Sequence, residues 1–149
     1  MKIIQCGPQQ LDEAAYLFNQ YRMFYEQADD LATSYNFIKY NLDNEKSKIY
    51  LVLDDSGKAV AFAQLYPTLC SLAMKPFYWL YDLYVDQSAR KQGYARHLMN
   101  YLSETLKAEG AQRLSLDTAI SNKAAQALYE SLGYEQEKSF ITYHKFLNV

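Results

Sequence analysis

Phe77-Tyr78-Trp79-Leu80-Tyr81-Asp82-Leu83-Tyr84-Val85 runs directly into Asp86-Gln87-Ser88-Ala89-Arg90-Lys91-Gln92-Gly93-Tyr94-Ala95-Arg96. From Phe77 to Val85 only Asp82 is neither apolar nor aromatic, the pattern of a central strand covered on both faces. Past the polar segment, Ala95, Leu98, Met99, Leu102 and Leu106 recur at helical spacing, and Gly110 supplies a C-terminal stop. A buried strand feeding a helix through a short turn leaves several backbone N–H groups without helical partners at the positive end of the dipole, a place suited to phosphate. Gly93 admits a close backbone approach or a conformation denied to other residues, and Ala95 keeps the next turn small. Arg90, Lys91 and Arg96 oppose the helix dipole, so helix stability does not favour them there; a bound polyanion reverses the sign. An isolated Arg-x-x-Gly-x-Ala match is also compatible with a solvated basic turn, and the flanking strand and helix weigh toward function.

Outward from this centre the chain alternates strands and helices. Lys2 to Cys6 predicts a short strand, Gly7-Pro8 starts a helix carrying Leu11, Ala15, Phe18, Tyr21 and Tyr25, and Asp30 caps a second helix with Leu31, Phe37, Ile38 and Leu42. Ile49 to Leu53, the turn Asp54-Asp55-Ser56-Gly57 and Ala59 to Tyr66 predict an antiparallel hairpin. Beyond the central helix, Arg113 to Thr118 predicts a strand, Asn122 to Leu132 a helix stopped by Gly133, and Tyr134 to Phe146 two final strands. The order is β-α-α-β-β-β-α-β-α-β-β: an α/β class with a mixed sheet of about six to seven strands in one domain over residues 1–149.

Composition bounds the function. Half of the 149 residues are hydrophobic and 21% are charged, with no apolar run of the ~18 residues a membrane span needs, so a soluble, cytoplasmic protein without a membrane partner is expected. A net charge of −2 gives no footprint for nucleic acid. Cys6 and Cys70 form neither a disulfide framework nor a metal knuckle and read as buried thiols; His97 and His144 have no metal-like spacing, so no metal is expected. Fifteen tyrosines exceed what a core needs, because each buried hydroxyl must find a partner, and some are expected to line a cleft.

Leu83-Tyr84-Val85 followed by Arg90-Lys91-Gln92-Gly93-Tyr94-Ala95 resembles motif A of the GNAT N-acetyltransferase superfamily, Gln/Arg-x-x-Gly-x-Gly/Ala. The segment Leu116 to Tyr134, with Asn122 and Tyr129, is similar to its motif B, and the element order resembles the family fold over nearly the whole chain. The resemblance implies that acetyl-CoA is the acyl donor, held by Arg90, Lys91, Gln92, Gly93, Tyr94, Ala95 and Arg96, by backbone groups of Leu83, Tyr84 and Val85, and by Asn122. It further implies that Tyr129 is the general acid toward the CoA sulfur. Lys91 departs from the family, many of whose members have glycine there.

Acetyl transfer to an amine needs a neutral amine, stabilisation of an oxyanion and a hydrogen bond for the departing thiolate. With a phenol near ~10 and a thiol near ~8.5, Tyr129 stabilises the thiolate chiefly by hydrogen bonding; its other reading is a core aromatic. Asn122 also suits the N-cap of its helix. Asp82 must find a cation or hydrogen bonds if buried; it either forms a structural ion pair or attracts an ammonium and, through water, helps remove its proton, as an acidic position does in the polyamine acetylating members it resembles. Strand alternation predicts that Tyr81 and Asp82 face opposite ways and do not both reach substrate. Glu26, Asp29 and Asp30, near Tyr21 and Tyr25, form either a solvated loop or an acidic, aromatic rim, with Tyr25 and Glu26 as further substrate-binding candidates.

The expectation is an acetyl-CoA dependent N-acetyltransferase acting on a small or polyamine-like amine by direct attack, in a homodimer suggested by the exposed edge of the final strands and by the family. The rivals are acetylation of a protein lysine or N-terminus, a non-catalytic acetyl-CoA sensor, and, weakest, a dinucleotide-binding domain, for which Gly-x-Gly-x-x-Gly is missing.

Overall fold

The computed structural model describes residues Met1–Asn148, which divide into two compact units, Met1–Asp117 and the residues from Thr118 onward. The first contains β1 (Lys2–Gln5), α1 (Leu11–Phe24), α2 (Leu31–Asp43), β2 (Lys48–Leu53), β3 (Ala59–Cys70), β4 (Lys75–Val85), α3 (Tyr94–Ala108) and β5 (Leu114–Leu116). These strands make one mixed sheet in the order β1-β2-β3-β4-β5, with β4 and β5 parallel and the other pairs antiparallel. The parallel pair is the one that needs a crossover, and α3 provides it.

Local chemistry explains most boundaries. The Asp30 carboxylate accepts the Thr33 amide at 3.0 Å and starts α2 as expected. Asp54 Oδ1 accepts from Ser56 N, Ser56 Oγ and Lys58 N, and Gly57 takes φ +87° at the β2–β3 turn. Leu98, Met99, Leu102 and Leu106 are buried along one face of α3, and Ile49, Leu51, Phe62, Leu17 and Ile38 fill the layer that holds α1 and α2. Cys6 is buried and its thiol is pushed up to about 11 by burial. Cys70 departs from expectation: it is half-buried at the end of β3, its thiol held below the usual range by a backbone hydrogen bond at Ala73 and then by Arg113.

The second unit contains α4 (Lys123–Ser131), with Asn122 as its N-cap and Gly133 at φ +89° after its end. Here the expected architecture is corrected. Tyr134 to Phe146 forms no strand among the described residues, and Arg113 to Thr118 shortens to Leu114–Leu116, so the sheet has five strands rather than six or seven. A strand exists only where a partner supplies its ladder, and strand-like alternation encodes the propensity without supplying the partner.

Candidate functional site

Two buried polar residues in neighbouring strands meet. Gln64 in β3 is paired across the ladder with Asp82 in β4, and its Nε2 donates to Asp82 Oδ2 at 2.5 Å. Two donors converge on the other end of the same amide, Asn41 Nδ2 from α2 at 2.9 Å and Ser47 Oγ at 2.7 Å. Because both reach Gln64 Oε1, the amide has one sensible orientation, with its NH2 aimed at the carboxylate. Asn41 Nδ2 also donates to the Tyr66 hydroxyl at 3.1 Å. Gln64 is fully buried, and Asn41, Ser47 and Asp82 nearly so.

Asp82 therefore has the hydrogen-bonded environment a buried carboxylate needs, and the partners that supply it are an amide and a phenol, not a cation. Burial pushes its acid up to about 6, against the opposing hydrogen bonds from Gln64 and Tyr21. At neutral pH it is mostly ionised, yet close enough to its midpoint to take up a proton.

The β3–β4 ladder slips by one residue beside this pair. Gln64 faces Asp82 but Leu65 faces Leu80, which leaves Tyr81 as the extra residue of a bulge. The opened backbone is used, since the Tyr21 hydroxyl donates to the Tyr81 carbonyl at 3.0 Å. Simple alternation is overturned here. Tyr81 and Asp82 both line one cavity of about 420 Å³, together with Phe18, Tyr21, Arg22, Phe37 and Tyr66. Its walls are aromatic rings in contact, Tyr66 against Tyr81 at 5.4 Å and Phe18 against Phe37 at 5.4 Å. Arg22 Nη1 is directed to the Ala28 carbonyl at 3.3 Å.

Tyr25 and Glu26 are not in this lining. Tyr25 touches it indirectly, its ring edge-on to Tyr21 at 5.1 Å, and Glu26 is an exposed residue at φ +62° just after α1. Asp29 accepts from Asn19 Nδ2 at 2.7 Å and Asp30 caps α2, so each carboxylate has a local structural role.

At the C-terminal end of β4, Asp86 accepts from Ser88 N and Oγ and Arg90 folds back, its Nε on the Val85 carbonyl at 3.1 Å and its guanidinium between the Phe24 and Tyr84 rings at 5.3 and 5.4 Å. Arg90 thus braces the turn while Lys91, Gln92, Gly93 and Arg96 are exposed. Gly93 is the N-cap of α3 at φ +83°, and a Cβ there would meet nothing closer than His97 Cδ2 at 3.8 Å, so its requirement is conformational. Lys91 is also left-handed, at φ +63°, which accounts for the advantage of glycine at that position. The first bond within α3 runs from His97 N to Gly93 O, so the amides of Tyr94 and Ala95 have no acceptor inside the helix. Open left-handed backbone, unshared amides and exposed cations fit a phosphate-bearing ligand, in which Leu83, Tyr84 and Val85 offer the neighbouring strand end.

Within the second unit, Asn122 Oδ1 accepts the Ala125 amide at 3.1 Å, which establishes its cap role. Tyr129 is half-buried on α4, its ring 5.9 Å from that of Tyr134.

A family model described as the acetyltransferase (GNAT) family matches residues 14–134. The chain belongs to the GNAT acetyltransferase family. This GNAT protein is 40% identical, over 100% of its own length and 98% of the relative's, to the uncharacterized N-acetyltransferase YhfO of Bacillus subtilis (strain 168). Shorter matches join it to aminoglycoside N(6')-acetyltransferase type 1 of Serratia marcescens, 32% identical over 61% of this chain and 64% of that protein, and to the [ribosomal protein bS18]-alanine N-acetyltransferase of Escherichia coli (strain K12), 36% over 56% and 53%. Its fold recurs in the crystal structure of a probable acetyltransferase with a TM-score of 0.94 and 34% identity, covering 100% of this chain and 99% of the other. It is accordingly an acetyltransferase enzyme, and its family takes the acetyl group from acetyl-CoA. No helix among the described residues is long and apolar enough to cross a membrane.

Gln64, Asn41 and Ser47 were not among the residues singled out from sequence. One signal was present: Gln64 is the only polar residue between Ala59 and Leu65, as Asp82 is the only charge between Phe77 and Val85.

Proposed function

We propose that this enzyme acetylates a small or polyamine-like primary amine, and that Asp82 receives the acceptor's ammonium group. One observation carries this: a buried carboxylate lines an aromatic cavity, oriented by Gln64 and lacking a cationic partner among the described residues. An ammonium would supply the missing charge, the rings of Tyr66, Tyr81 and Tyr21 would favour it, and about 420 Å³ is within the size range of small-molecule sites.

Bound acetyl-CoA supplies an acetyl thioester. Arg90, Lys91, Gln92, Gly93, Tyr94, Ala95 and Arg96 would hold its phosphates, with Leu83, Tyr84, Val85 and Asn122 along the rest of the cofactor. Asp82, ionised above about pH 6, accepts a proton from the ammonium through water, which frees the nitrogen lone pair for direct attack. The new C–N bond forms as the C–S bond breaks, and the Tyr129 hydroxyl donates to the departing sulfur. Similarity to the aminoglycoside enzyme supports an amine on a small molecule, whereas similarity to the alanine N-acetyltransferase favours a second reading, a protein N-terminus. Tyr25 and Glu26, outside the cavity lining, would act on the acceptor only at longer range. The family match covers residues of both compact units, which supports one catalytic domain; as part of the same proposal, it works in the cytoplasm as a homodimer.

The test is release of free CoA thiol from acetyl-CoA with diamines, polyamines, aminoglycosides, amino acids and peptides of free N-terminus, for wild type and Tyr129→Phe. Turnover with small amines that falls at least about tenfold in kcat in the variant, at little changed KM, supports both acceptor class and acid. Turnover with peptides alone moves the reading to the protein N-terminus, and binding of acetyl-CoA with no turnover on any acceptor moves it to a sensor.

A further inference from the structure

Among the described residues Arg22 is the only cation that lines the aromatic cavity, and its own surroundings do not account for it. It stands half-buried in the last turn of α1 and shares the cavity wall with Asp82, Phe37, Tyr66 and Tyr81. The helix dipole favours a cation in a last turn, which explains its place on α1 but not its share in a wall of rings. The ion pairs among the described residues, Met1–Asp55, Lys39–Asp43 and Lys48–Glu109, all lie elsewhere. Arg22 and Asp82 therefore face one cavity without being paired to each other.

The carboxylates nearest to Arg22 in sequence are engaged or turned to solvent. Asp29 accepts from Asn19, and Glu26 is exposed. Asp30 accepts the Thr33 amide, and its acid is held below the usual carboxylate range first by that bond and only last by Arg22. The Arg22 guanidinium spends one N–H on the neutral Ala28 carbonyl, at 3.3 Å. Its planar fork has further donors, in the geometry that meets two oxygens of one anion. We infer, resting on the reading that Asp82 receives the acceptor's ammonium group, that Arg22 receives an oxyanion carried by the same acceptor. The substrate is then a small zwitterionic amine of the amino-acid type, which narrows the acceptor class and sets polyamines aside.

Charge complementarity favours this occupant over the other small amines. A ligand that fills a ring-lined cavity displaces water from its walls, and a charge left without water or a partner is costly. A neutral amine satisfies Asp82 and leaves Arg22 desolvated and unpaired. A diamine satisfies Asp82 with one end and brings its second ammonium toward the guanidinium, a like-charge approach that opposes binding. A zwitterion meets both groups with opposite charge and brings no net charge of its own. Acetylation then converts the ammonium to an amide and leaves the oxyanion in place, so the product loses its hold on Asp82 and keeps that on Arg22.

The test is CoA release on the full chain with ω-amino acids from glycine to ε-aminocaproate, the carboxamide of each, the diamine of the same length and the matching aminoalkylphosphonate. At some chain length the amino acid or the phosphonate is expected to exceed its amide by about tenfold or more in kcat/KM, mostly through KM, with the diamine lowest. Whichever of carboxylate and phosphonate gives the lower KM identifies the oxyanion. Arg22→Gln should bring the ratio of amino acid to amide close to one, and Arg22→Glu should reverse the order in favour of the diamine, a gain that a misfolded variant cannot show. Amides or diamines that match or exceed the amino acids in wild type, with turnover lost in Asp82→Asn and a ranking unmoved in Arg22→Gln, overturn the role of Arg22 and leave that of Asp82 standing. Turnover of small amines that is indifferent to Asp82→Asn, or turnover of peptides alone, overturns both.

Discussion

The turn before α3 and the polar cluster below the bulge are built by opposite means. The turn draws on residues adjacent in sequence, Asp86 to Ala95, is mostly exposed, and works through backbone conformation at Lys91 and Gly93. The cluster joins Asn41, Ser47, Gln64 and Asp82 from four places in the chain, is buried, and works through side-chain orientation. A ligand with several phosphates can be met by a short flexible-looking motif, because many weak contacts share the work. A single ammonium must be met by one charge whose protonation is controlled, and that control requires a sealed environment.

The sharpest way to break this contrast is Asp82→Asn, which keeps shape and an acceptor for Gln64 while removing the charge. kcat/KM for the amine is expected to fall about 100-fold or more, with acetyl-CoA affinity nearly unchanged and the ascending limb near pH 6 lost from the rate profile. The same variant tests the stability linkage. The folded acid is raised to about 6 from 3.8, so its contribution is fully present below pH 3.8 and is lost as pH rises through about 6. The variant should therefore match wild type in denaturant melts near pH 4 and exceed it at pH 8, by about 1–3 kcal/mol. Equal stability at both pH values would show that Asp82 is not desolvated.

Gln64→Glu places a second carboxylate against the first. The two would share a proton, and the rate profile should move about one pH unit or more toward alkali, with about 2–3 kcal/mol lost at pH 8 in denaturant melts. An unmoved profile would reduce Gln64 to packing. On the other side of the comparison, Gly93→Ala meets no steric obstacle but must hold φ +83°. About 1 kcal/mol of stability and several-fold in acetyl-CoA affinity are expected to go, by melts and by calorimetry, with the pH profile intact. The smallest effect belongs to a site outside both regions: the Tyr50 hydroxyl is buried without a hydrogen-bond partner among the described residues. Tyr50→Phe removes that cost and should leave activity unchanged while raising stability by about 1 kcal/mol or less in the same melts.

What was legible in the sequence follows this division. Motif A, the helical stripe of α3, the Asp30 cap and the β2–β3 turn are local patterns, and local patterns set backbone dihedrals directly. Asp82 was legible as an anomaly, one charge in an apolar strand, but its partner was not, because residues 64 and 82 are brought together only by the β3–β4 register. The bulge at Tyr81 escaped notice for the same reason, since an extra residue in a strand has meaning only against its neighbour, and with it went the expectation that Tyr81 and Asp82 point apart. The C-terminal segment shows the limit most clearly: its side chains carry the alternation of strands, yet Tyr134 to Asn148 forms none in the single chain. By itself the sequence determined the family, the helices, the phosphate-type turn and the presence of one unusual carboxylate, all properties of residues close together along the chain. Only the tertiary structure decided which amide orients that carboxylate, which rings enclose it and where the sheet stops, because each depends on pairing between distant segments, and pairing energy belongs to both partners at once.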